Sequence, residues 1–362
     1  MSRLLNRFVL LAAAAGILAG TTGLAQAKPG SGPWTYTVMV GLEHPNSGIG
    51  INAYFPGTVT IHEGDTVHWV QNSNEIHTVT FTDGLPFPEL LIPATPPADP
   101  SVSPLVFNPA AIEQVPVSGV YSGGIGAYAN SGIMGREPGQ VQEFDLTFPN
   151  TGTYHYACIV HGLAMSGNVV VVGADEAIPS PNQAMAEGRK EIAEALSLVP
   201  GVVRDAAGQV VAPVVNDDGT VTHTVMLGYS ETVTASYGNL QIDLMQFFPD
   251  KLQVRSGDTV TFEMSAANIA PHTVTFLNGE EEPALTVFDG GFLYLNPDVF
   301  FPSGGDVLTR TGIFSSGLML PVPGTSYSLV VGDMKSGLER FICLLHDSSG
   351  MEGKLTILGQ SP

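Results

Sequence analysis

The sequence contains very little cysteine. Only Cys158 and Cys343 occur among its 362 residues. Two cysteines in an exported protein are usually read as one disulfide. Here each cysteine lies at the matching place of an internal sequence repeat, which favours two separate roles. We therefore expect two free thiols, and a free thiolate is the form of cysteine that binds a metal ion.

Basic residues are also scarce. The chain has 13 lysines and arginines against 34 acidic residues, which gives a formal net charge of −21. Such a surface repels phosphate, so nucleic acid is excluded as a natural partner. An acidic surface would attract a basic protein partner and speed the encounter with it. The charge also has a simpler explanation, which is that it keeps an exported protein soluble, and the sequence leaves both open.

Long apolar runs are missing beyond the N-terminus. Arg3 and Arg7 accompany the apolar stretch Phe8 to Leu18, and residues 25–27 have the small-x-small pattern of a cleavage site. This order predicts a signal peptide over residues 1–27 and a protein exported to the periplasm or the cell exterior. The apolar stretch is short for a membrane span, so we expect no transmembrane segment after cleavage. An uncleaved anchor is the alternative.

A long internal repeat organises the rest of the chain. The Gly-Asp-Thr-Val sequence at residues 64–67 recurs at 257–260, and His-Thr-Val-Thr-Phe at 77–81 recurs at 272–276. The segment 131–161 also recurs at a constant offset of 185 residues, so that Ser131 matches Ser316 and His161 matches His346. A period of this length indicates tandem domains rather than a solenoid of small units.

Alternating apolar and polar residues within each copy predict half-buried strands. Val59 and Ile61 share one face of such a segment, and Val67 and Trp69 repeat the pattern. Gly 42 and Pro 27 in the composition favour short strands joined by turns. We therefore predict an all-β protein made of two tandem β-sandwiches.

The predicted domains cover residues 28–173 and 218–362, and residues 174–217 form a linker. Within the linker, Ser180-Pro181 starts a predicted helix that runs to Leu198 and is stopped by Pro200-Gly201. Met185, Ile192 and Leu196 would pack on a domain, and a mobile tether is the alternative.

Each copy also carries the same set of potential metal ligands. The first set is His77, Cys158, His161 and Met165, and the second is His272, Cys343, His346 and Met351. Two imidazoles, one thiolate and one weak thioether make a blue-copper electron-transfer site. The cysteine, second histidine and methionine are close in sequence, whereas the first histidine is 81 residues before the cysteine in one copy and 71 in the other.

On these motifs both halves resemble cupredoxins of the plastocyanin/azurin family. The resemblance runs from about Trp34 to Val172 and from about Val221 to Leu358. It rests on the repeated motifs, on Pro138-Gly139, and on the Met-x-Gly sequences at 165–167 and 351–353. The resemblance implies a Greek-key sandwich, one type 1 copper per domain and single-electron transfer, with the two four-residue sets above as copper ligands.

The two copies differ in the loop between the second histidine and the methionine. The first loop is one residue shorter than the second. Because loop length sets the distance of the axial ligand, we expect unequal redox potentials. Gly162, Leu163 and Ala164 make the first loop apolar, so we expect the first domain to dock a redox protein partner.

The sequence argues against a catalytic copper site. Oxidases and reductases with related domains need additional histidines, often one directly beside the type 1 cysteine. Ala157 and Ile159 flank Cys158, Ile342 and Leu344 flank Cys343, and no His-x-His pair occurs. We expect an electron carrier rather than an enzyme. An oxidase or reductase with an additional metal at an interface, or a copper-sequestering protein, remains an alternative.

Five further histidines and two long insertions have less defined roles. We expect His155 to be exposed, His62 and His68 to point outward, His223 to pack with aromatic rings and His44 to lie in a loop. The insertions 86–128 and 278–310 are longer than hairpins need. Such segments serve as lids or docking surfaces, or merely decorate the surface.

Overall fold

The computed structural model describes residues 32–44, 48–94, 104–136 and 140–358. Two features of the sequence therefore lie outside the described residues, namely the predicted signal peptide and the Pro138-Gly139 motif. Within the described ranges, no helix is both long and apolar enough to span a bilayer.

The chain is an all-β protein with few helices, as predicted. The first half contains the strands and the short helix listed next. These are β1 (Thr35–His44), β2 (Ile49–Phe55), β3 (Thr58–His62), β4 (Thr66–Gln71), β5 (Thr80–Phe81), β6 (Leu91–Pro93), β7 (Leu105–Phe107), α1 (Pro109–Ile112), β8 (Gln114–Val115), β9 (Ala129–Ser131), β10 (Glu143–Thr147), β11 (Gly152–Cys158) and β12 (Gly162–Val172).

A long helix and a 3-10 turn connect this half to the second. These and the remaining elements are α2 (Pro181–Ala206), the 3-10 turn Ala207–Gln209, β13 (Val214–Val215), β14 (Val221–Ala235), β15 (Gly238–Phe248), β16 (Lys251–Val254), β17 (Thr259–Met264), β18 (Thr275–Phe276), β19 (Thr286–Asp289), β20 (Phe292–Leu295), α3 (Pro297–Phe300), β21 (Val307–Leu308), β22 (Phe314–Ser315), β23 (Ser326–Val331), β24 (Gly337–Ile342) and β25 (Glu352–Ile357).

One 10-stranded sheet, here called the shared sheet, runs through both halves. Its order is β10-β4-β1-β2-β15-β14-β17-β23-β21, with β13 paired to β14. Each half also has its own smaller sheet. The first is β3-β12-β11-β5-β9-β8 and the second is β16-β25-β24-β18-β22. Each small sheet therefore faces the strands that its own half contributes to the shared sheet.

The predicted alternation of the strands is present in the structure. Val59 and Ile61 are buried on β3, and Val67 and Trp69 are buried on β4, while their neighbours are partly exposed. Trp69 lies edge-on against the rings of Phe81 and Tyr156, which belong to the opposite sheet. Burial of such rings supplies much of the free energy that holds the two sheets together.

The halves join where β2 pairs with β15. These antiparallel strands pair Ile51 with Ile242 and Ile49 with Leu244. The side-chain amide of Asn52 donates to the Asp243 carboxylate across this junction at 2.7 Å. The sequence repeat contains no signal for this pairing, because it depends on which sheet edges are left free after each half folds.

The two insertions pair with each other in a separate four-stranded sheet. Its order is β19-β20-β7-β6, and the bridge between the insertions is the pair Tyr294 and Val106. Pro93 lies at the end of β6 in this sheet. The insertions therefore link the halves a second time, away from the β2–β15 junction.

Helix α2 packs against the junction. Its N-terminus has a capping box, in which Ser180 and Gln183 satisfy each other's backbone N–H groups, and Pro181 begins the first turn. Ala195, Val199 and Val202 are buried against strands of the shared sheet, with Ile192 and Leu196 packed beside them. Met185 is partly buried at the start of the helix but is not part of this apolar cluster.

The predicted end of the helix is wrong. The helix continues through Pro200 and Gly201 to Ala206. Proline in a helix interior costs about 3 kcal/mol because it removes one hydrogen bond and crowds the preceding turn. Burial of Val199, Val202 and Ala206 on both sides of Pro200 offsets that cost.

Replacing Gly188 with alanine tests how tightly α2 docks. Alanine normally stabilises a helix interior by about 1 kcal/mol relative to glycine. At Gly188, however, a Cβ would lie 2.9 Å from the nitrogen of Pro56 and 3.0 Å from the carbonyl carbon of Phe55. We therefore expect Gly188→Ala to lower the free energy of unfolding in urea. Gly201→Ala is the matched control and should raise it, since only the end of Arg204 comes near that position. Equal effects of the two substitutions would contradict the docking.

Glu191 makes the stability of the protein depend on pH. The carboxylate accepts a hydrogen bond from the backbone N–H of Gly57 at 2.8 Å. Burial, and to a lesser extent the neighbouring Glu187 and Glu194, raise the pKa of Glu191 from 4.5 to about 7, although the Gly57 bond opposes this. The pKa of Glu191 is higher in the folded protein than in the unfolded chain. The contribution of this group to stability is therefore fully present at pH values below its unfolded pKa. It is lost as the pH rises through the folded pKa.

We expect Glu191→Gln to become more stable relative to the parent protein as the pH is raised from about 5 to about 8. Urea unfolding at several pH values measures the difference. Asp205→Asn, which alters an exposed carboxylate of the same helix, should show a difference that stays constant over this range. A pH-independent difference for Glu191→Gln would contradict the assignment.

Candidate metal centres

The structure brings together the histidine and cysteine side chains of each predicted set. In the first half, Cys158 Sγ lies 4.0 Å from His77 Nδ1 and 3.4 Å from His161 Nδ1. The two Nδ1 atoms are 3.2 Å apart. All three donor atoms therefore point at one small volume.

The second half repeats this arrangement. Cys343 Sγ lies 3.7 Å from His272 Nδ1 and 3.4 Å from His346 Nδ1. The two nitrogen atoms are 3.1 Å apart. These two groups are the clusters of histidine, cysteine and acidic side chains in the described residues that could hold a metal ion.

The donor spacing fits a metal ion in a trigonal site. Metal–nitrogen and metal–sulfur bonds of about 2.0–2.3 Å, spread evenly in a plane, place the donors about 3.5–3.8 Å apart. The observed separations of 3.1–4.0 Å surround that range. A set of two imidazoles and one thiolate is the chemistry of a blue-copper site.

Each of the two methionines belongs to the same buried cluster as its cysteine. Met165 and Cys158 are fully buried in one core cluster, and Met351 and Cys343 are fully buried in another. Met165 belongs to β12, only three residues after that strand begins. Met351 follows a longer turn, and its carbonyl accepts a hydrogen bond from the backbone N–H of Cys343 at 3.1 Å. Each methionine therefore shares a buried core with the cysteine of its predicted set.

The glycine of each Met-x-Gly motif makes room for an aromatic ring. A Cβ on Gly167 would lie 2.5 Å from the ring of Tyr156, and one on Gly353 would lie 2.2 Å from the ring of Phe341. These rings lie on the strands that end near the two cysteines. The motif therefore fixes how closely the methionine strand can approach the cysteine strand.

A threonine following each remote histidine connects it to the cysteine. The backbone N–H of Thr78 donates to Cys158 Sγ at 3.4 Å, and the Thr78 hydroxyl accepts from the N–H of Ile159 at 2.8 Å. Thr273 makes the same pair of bonds, at 3.3 Å to Cys343 and 2.8 Å from Leu344. An N–H donated to sulfur favours the thiolate form that a metal ion requires.

The outer nitrogen of each remote histidine also has a partner. Ser73 Oγ lies 2.9 Å from His77 Nε2, and Asn268 Oδ1 lies 3.3 Å from His272 Nε2. Such contacts fix the tautomer and the ring orientation of a metal-binding histidine. The inner Nδ1 is then left free to face the metal.

Two glycines lie directly behind these rings. A Cβ on Gly41 would lie 2.4 Å from His77 Nε2, and one on Gly228 would lie 2.3 Å from His272 Nε2. Both have positive φ angles, of 68° and 63°, where β1 and β14 change register with their partners. A side chain at either position would displace the histidine, so glycine is required by both conformation and space.

Burial favours the neutral form of three of these imidazoles, those of His77, His161 and His272. It lowers the pKa of His77 and of His272 well below the ordinary value, and a neighbouring histidine adds to the effect in each case. It also lowers the pKa of His161 to about 3, with a further contribution from the charge of His346. A neutral imidazole retains the lone pair that binds a metal.

Burial acts in the opposite direction on the first cysteine. It raises the pKa of the Cys158 thiol, although hydrogen bonds from Thr78 and the following backbone oppose the shift. A bound cation would overcome the remaining cost and hold the sulfur as a thiolate.

Sequence reasoning missed the residues that support the ligands. Thr78 and Thr273 could have been found, because both lie in the repeated His-Thr motif. Ser73 and Asn268 both occur four residues before a histidine, which is a weaker signal. The two glycines gave no signal, since Gly41 is 36 residues and Gly228 is 44 residues before its histidine.

The other histidines lie outside these centres. His155 is exposed, as expected. His62 and His68 are partly exposed and contact the carbonyl of Glu176 and the carboxylate of Asp145. They are outward-facing, as expected.

Two of these histidine predictions are wrong. His44 forms the end of β1 and pairs with Ile49, so it is not in a loop. The prediction of aromatic packing fails at His223, whose Nε2 lies 3.7 Å from Asp258 Oδ2. The position of His223 in a strand did not by itself indicate which side chain the imidazole would contact.

Comparisons with known proteins agree with this chemistry. The family described as copper binding proteins, plastocyanin/azurin family, matches residues 46–172. The plastocyanin of Sambucus nigra is 30% identical over 113 residues, which are 31% of this chain and 88% of that protein.

Solved structures of small copper proteins also resemble parts of the chain. Amicyanin from Paracoccus versutus (Thiobacillus versutus) is 20% identical and is matched over 38% of this chain and 81% of its own, with a TM-score of 0.22. Oxidised plastocyanin from Dryopteris crassirhizoma is 21% identical, with 37% and 98% covered and a TM-score of 0.19. With the plastocyanin sequence matched over most of its length, the chain belongs to the plastocyanin/azurin family of copper-binding proteins.

Proposed function

We propose that this protein is an exported blue copper protein that carries single electrons between redox partners. It would consist of two tandem cupredoxin domains, residues 28–173 and 218–362, joined by the linker 174–217, with one type 1 copper in each. The observation that carries the proposal is the convergence of one sulfur and two Nδ1 atoms in both halves. The equal strand order β3-β12-β11-β5-β9 and β16-β25-β24-β18-β22 supports the division into two domains.

The proposed ligands have distinct roles. His77, Cys158, His161 and Met165 would hold one copper. The second set is His272, His346, Cys343 and Met351. A copper ion in such a site supplies exchange of one electron between Cu(I) and Cu(II).

The protein's contribution is to keep the site dry and rigid. Ser73 and Asn268 orient the remote histidines, Thr78 and Thr273 hold the sulfur atoms, and the core clusters exclude water. Ligands that do not move when the charge of the site changes keep the cost of rearrangement low, which favours fast electron transfer.

Removing each cysteine separately tests the two copper sites. We expect about two copper ions per chain in the parent protein and about one in either Cys158→Ser or Cys343→Ser, because a hydroxyl is a poor ligand for Cu(I). Metal analysis gives the count. In their oxidised forms all three proteins should show an intense thiolate-to-copper band in the visible spectrum and a type 1 Cu(II) signal in the EPR spectrum. Oxidised, copper-loaded protein without colour would contradict the proposal.

The same samples separate the alternative functions. An oxidase or reductase with an interface metal predicts more copper than the two sites hold, a non-blue EPR signal, and turnover of oxygen or nitrite. A sequestering protein predicts copper that exchanges readily with a chelator and slow electron exchange. The two buried methionines favour transfer over storage.

The proposed partner is a redox protein, and the net charge favours a basic one. Leu163 is 74% exposed at the start of β12, two residues after His161. The corresponding turn of the second half presents Asp347 and Ser348 instead. We therefore place the apolar docking surface at the first domain.

Introducing a charge at Leu163 tests this surface. We expect Leu163→Glu to slow electron transfer to a basic c-type cytochrome by about tenfold, since a desolvated carboxylate costs more than 1 kcal/mol at an apolar contact. Stopped-flow mixing measures the rate, and the visible spectrum should stay unchanged. Val215→Glu adds the same charge at an exposed position of β13 and is the control. Equal rates for the two variants would rule out docking at Leu163.

A further inference from the structure

The second candidate metal centre is covered by the first half of the chain. His346 is only 8% exposed, although it is the loop histidine of its site. Its outer nitrogen, Nε2, lies 3.9 Å from the carboxylate of Glu75. The neighbouring Ser349 hydroxyl lies 3.4 Å from a side-chain oxygen of Glu75 and 3.4 Å from one of Glu43, and it can donate its single proton to either. Two acidic side chains of the first half therefore hold the ligand loop of the second.

Glu75 is itself connected to the first centre. Its backbone carbonyl accepts a hydrogen bond from Ser73 Oγ at 3.3 Å, and that oxygen lies 2.9 Å from His77 Nε2. A short chain of contacts thus runs from His77 through Ser73 and Glu75 to His346. It joins the outer nitrogens of one proposed ligand from each centre.

We call this chain of contacts, from His77 through Ser73 and Glu75 to His346, the bridge. The junction between the halves holds it in place. The amide of Gln71 donates to the carbonyl of Glu75 at 2.6 Å. Gly50 on β2 leaves room for the side chain of Glu75, since a Cβ there would lie 3.5 Å from Glu75 Cγ and 3.2 Å from the end of Met245. Because β2 pairs with β15 beside this point, the two centres have a fixed separation.

The bridge is not a by-product of the repeat. Glu75 lies two residues before His77, and the residue two before His272 is Ala270. Glu43 lies two residues after Gly41, and the residue two after Gly228 is Ser230. The acidic pair is therefore specific to the first half, where it meets the loop of the second.

We propose that the two centres act as a coupled pair, in which an electron passes between them inside the chain through Ser73 and Glu75. This inference rests on the proposed function. In the transfer, Cu(I) in one site becomes Cu(II) while Cu(II) in the other becomes Cu(I), and one electron moves with no bond formed or broken. The first electron comes from an external one-electron donor. Tunnelling is faster through bonds and short contacts than through open space, and the contacts from His77 through Ser73 and Glu75 to His346 supply such a route.

Pulsed EPR on the oxidised, copper-loaded chain tests the proximity of the centres. We expect a dipolar coupling between the two Cu(II) ions, which Cys158→Ser and Cys343→Ser should abolish because each leaves one ion. Glu75→Ala should keep the coupling, since alanine occupies the equivalent position in the second half. Two blue copper signals without any coupling would overturn the pairing.

Flash reduction by a small-molecule donor tests the transfer itself. Every sample carries Met165→Gln, because an amide oxygen favours Cu(II) more than a thioether does and so lowers the potential of the first site and separates its spectrum. We expect the more exposed first site to be reduced and then reoxidised as the second site bleaches, at a rate independent of protein concentration. A rate that rises with concentration, or no second phase, would overturn the proposal.

Variants of the bridge make the test specific. Glu75→Ala, and Ser73→Ala at the other end, should slow the internal phase by about tenfold or more. Glu75→Gln keeps the side-chain length and its contacts and should restore most of the rate. Glu89→Ala removes an exposed acid elsewhere in the first half and is the control. An unchanged rate in both alanine variants would exclude the bridge. Loss of the thiolate-to-copper band in the parent protein would instead refute the proposed function.

Discussion

The contact between a threonine N–H and a cysteine sulfur underlies the geometry of both centres. Thr78 and Thr273 each follow a remote histidine, and each also accepts a hydrogen bond from the residue after the cysteine. This pair of bonds fixes the segment containing the histidine against the end of the cysteine strand. Donor atoms separated by 81 or 71 residues in the chain are thereby brought within 4.0 Å.

The second constraint is the junction of the halves. β2 is the edge strand of the part of the shared sheet that comes from the first half, and β15 is the edge strand of the part from the second. Their pairing joins the two parts into one sheet. Helix α2 covers the same strands and buries an apolar face there. An exposed edge would be open to pairing with other chains, so the junction also removes two aggregation-prone edges. One consequence is that the turn after Cys343, which contains His346 and Ser349, contacts acidic side chains of the first half.

Much of the fold and of the sites could be predicted from the sequence. The alternation at Val59, Ile61, Val67 and Trp69 indicated strands correctly, because a half-buried strand has a strict period of two. The cysteines and histidines could be grouped into two sets because their spacing occurs twice, and the structure brings the three side chains of each set together. The helix boundary at Pro200 was wrong, since local propensity could not include the burial of Val199 and Val202 on either side of it.

The sequence by itself determined the chemistry: which side chains could bind a metal, how many sets there are, and that the chain is built from strands. These properties depend on residue type and short-range periodicity, which are local. The tertiary structure alone decided that β2 pairs with β15, that Gly41 and Gly228 lie behind the histidines, and that Glu75 reaches His346. Such contacts depend on which surfaces meet after each half has folded, and they cannot be predicted from the separation of the residues along the chain.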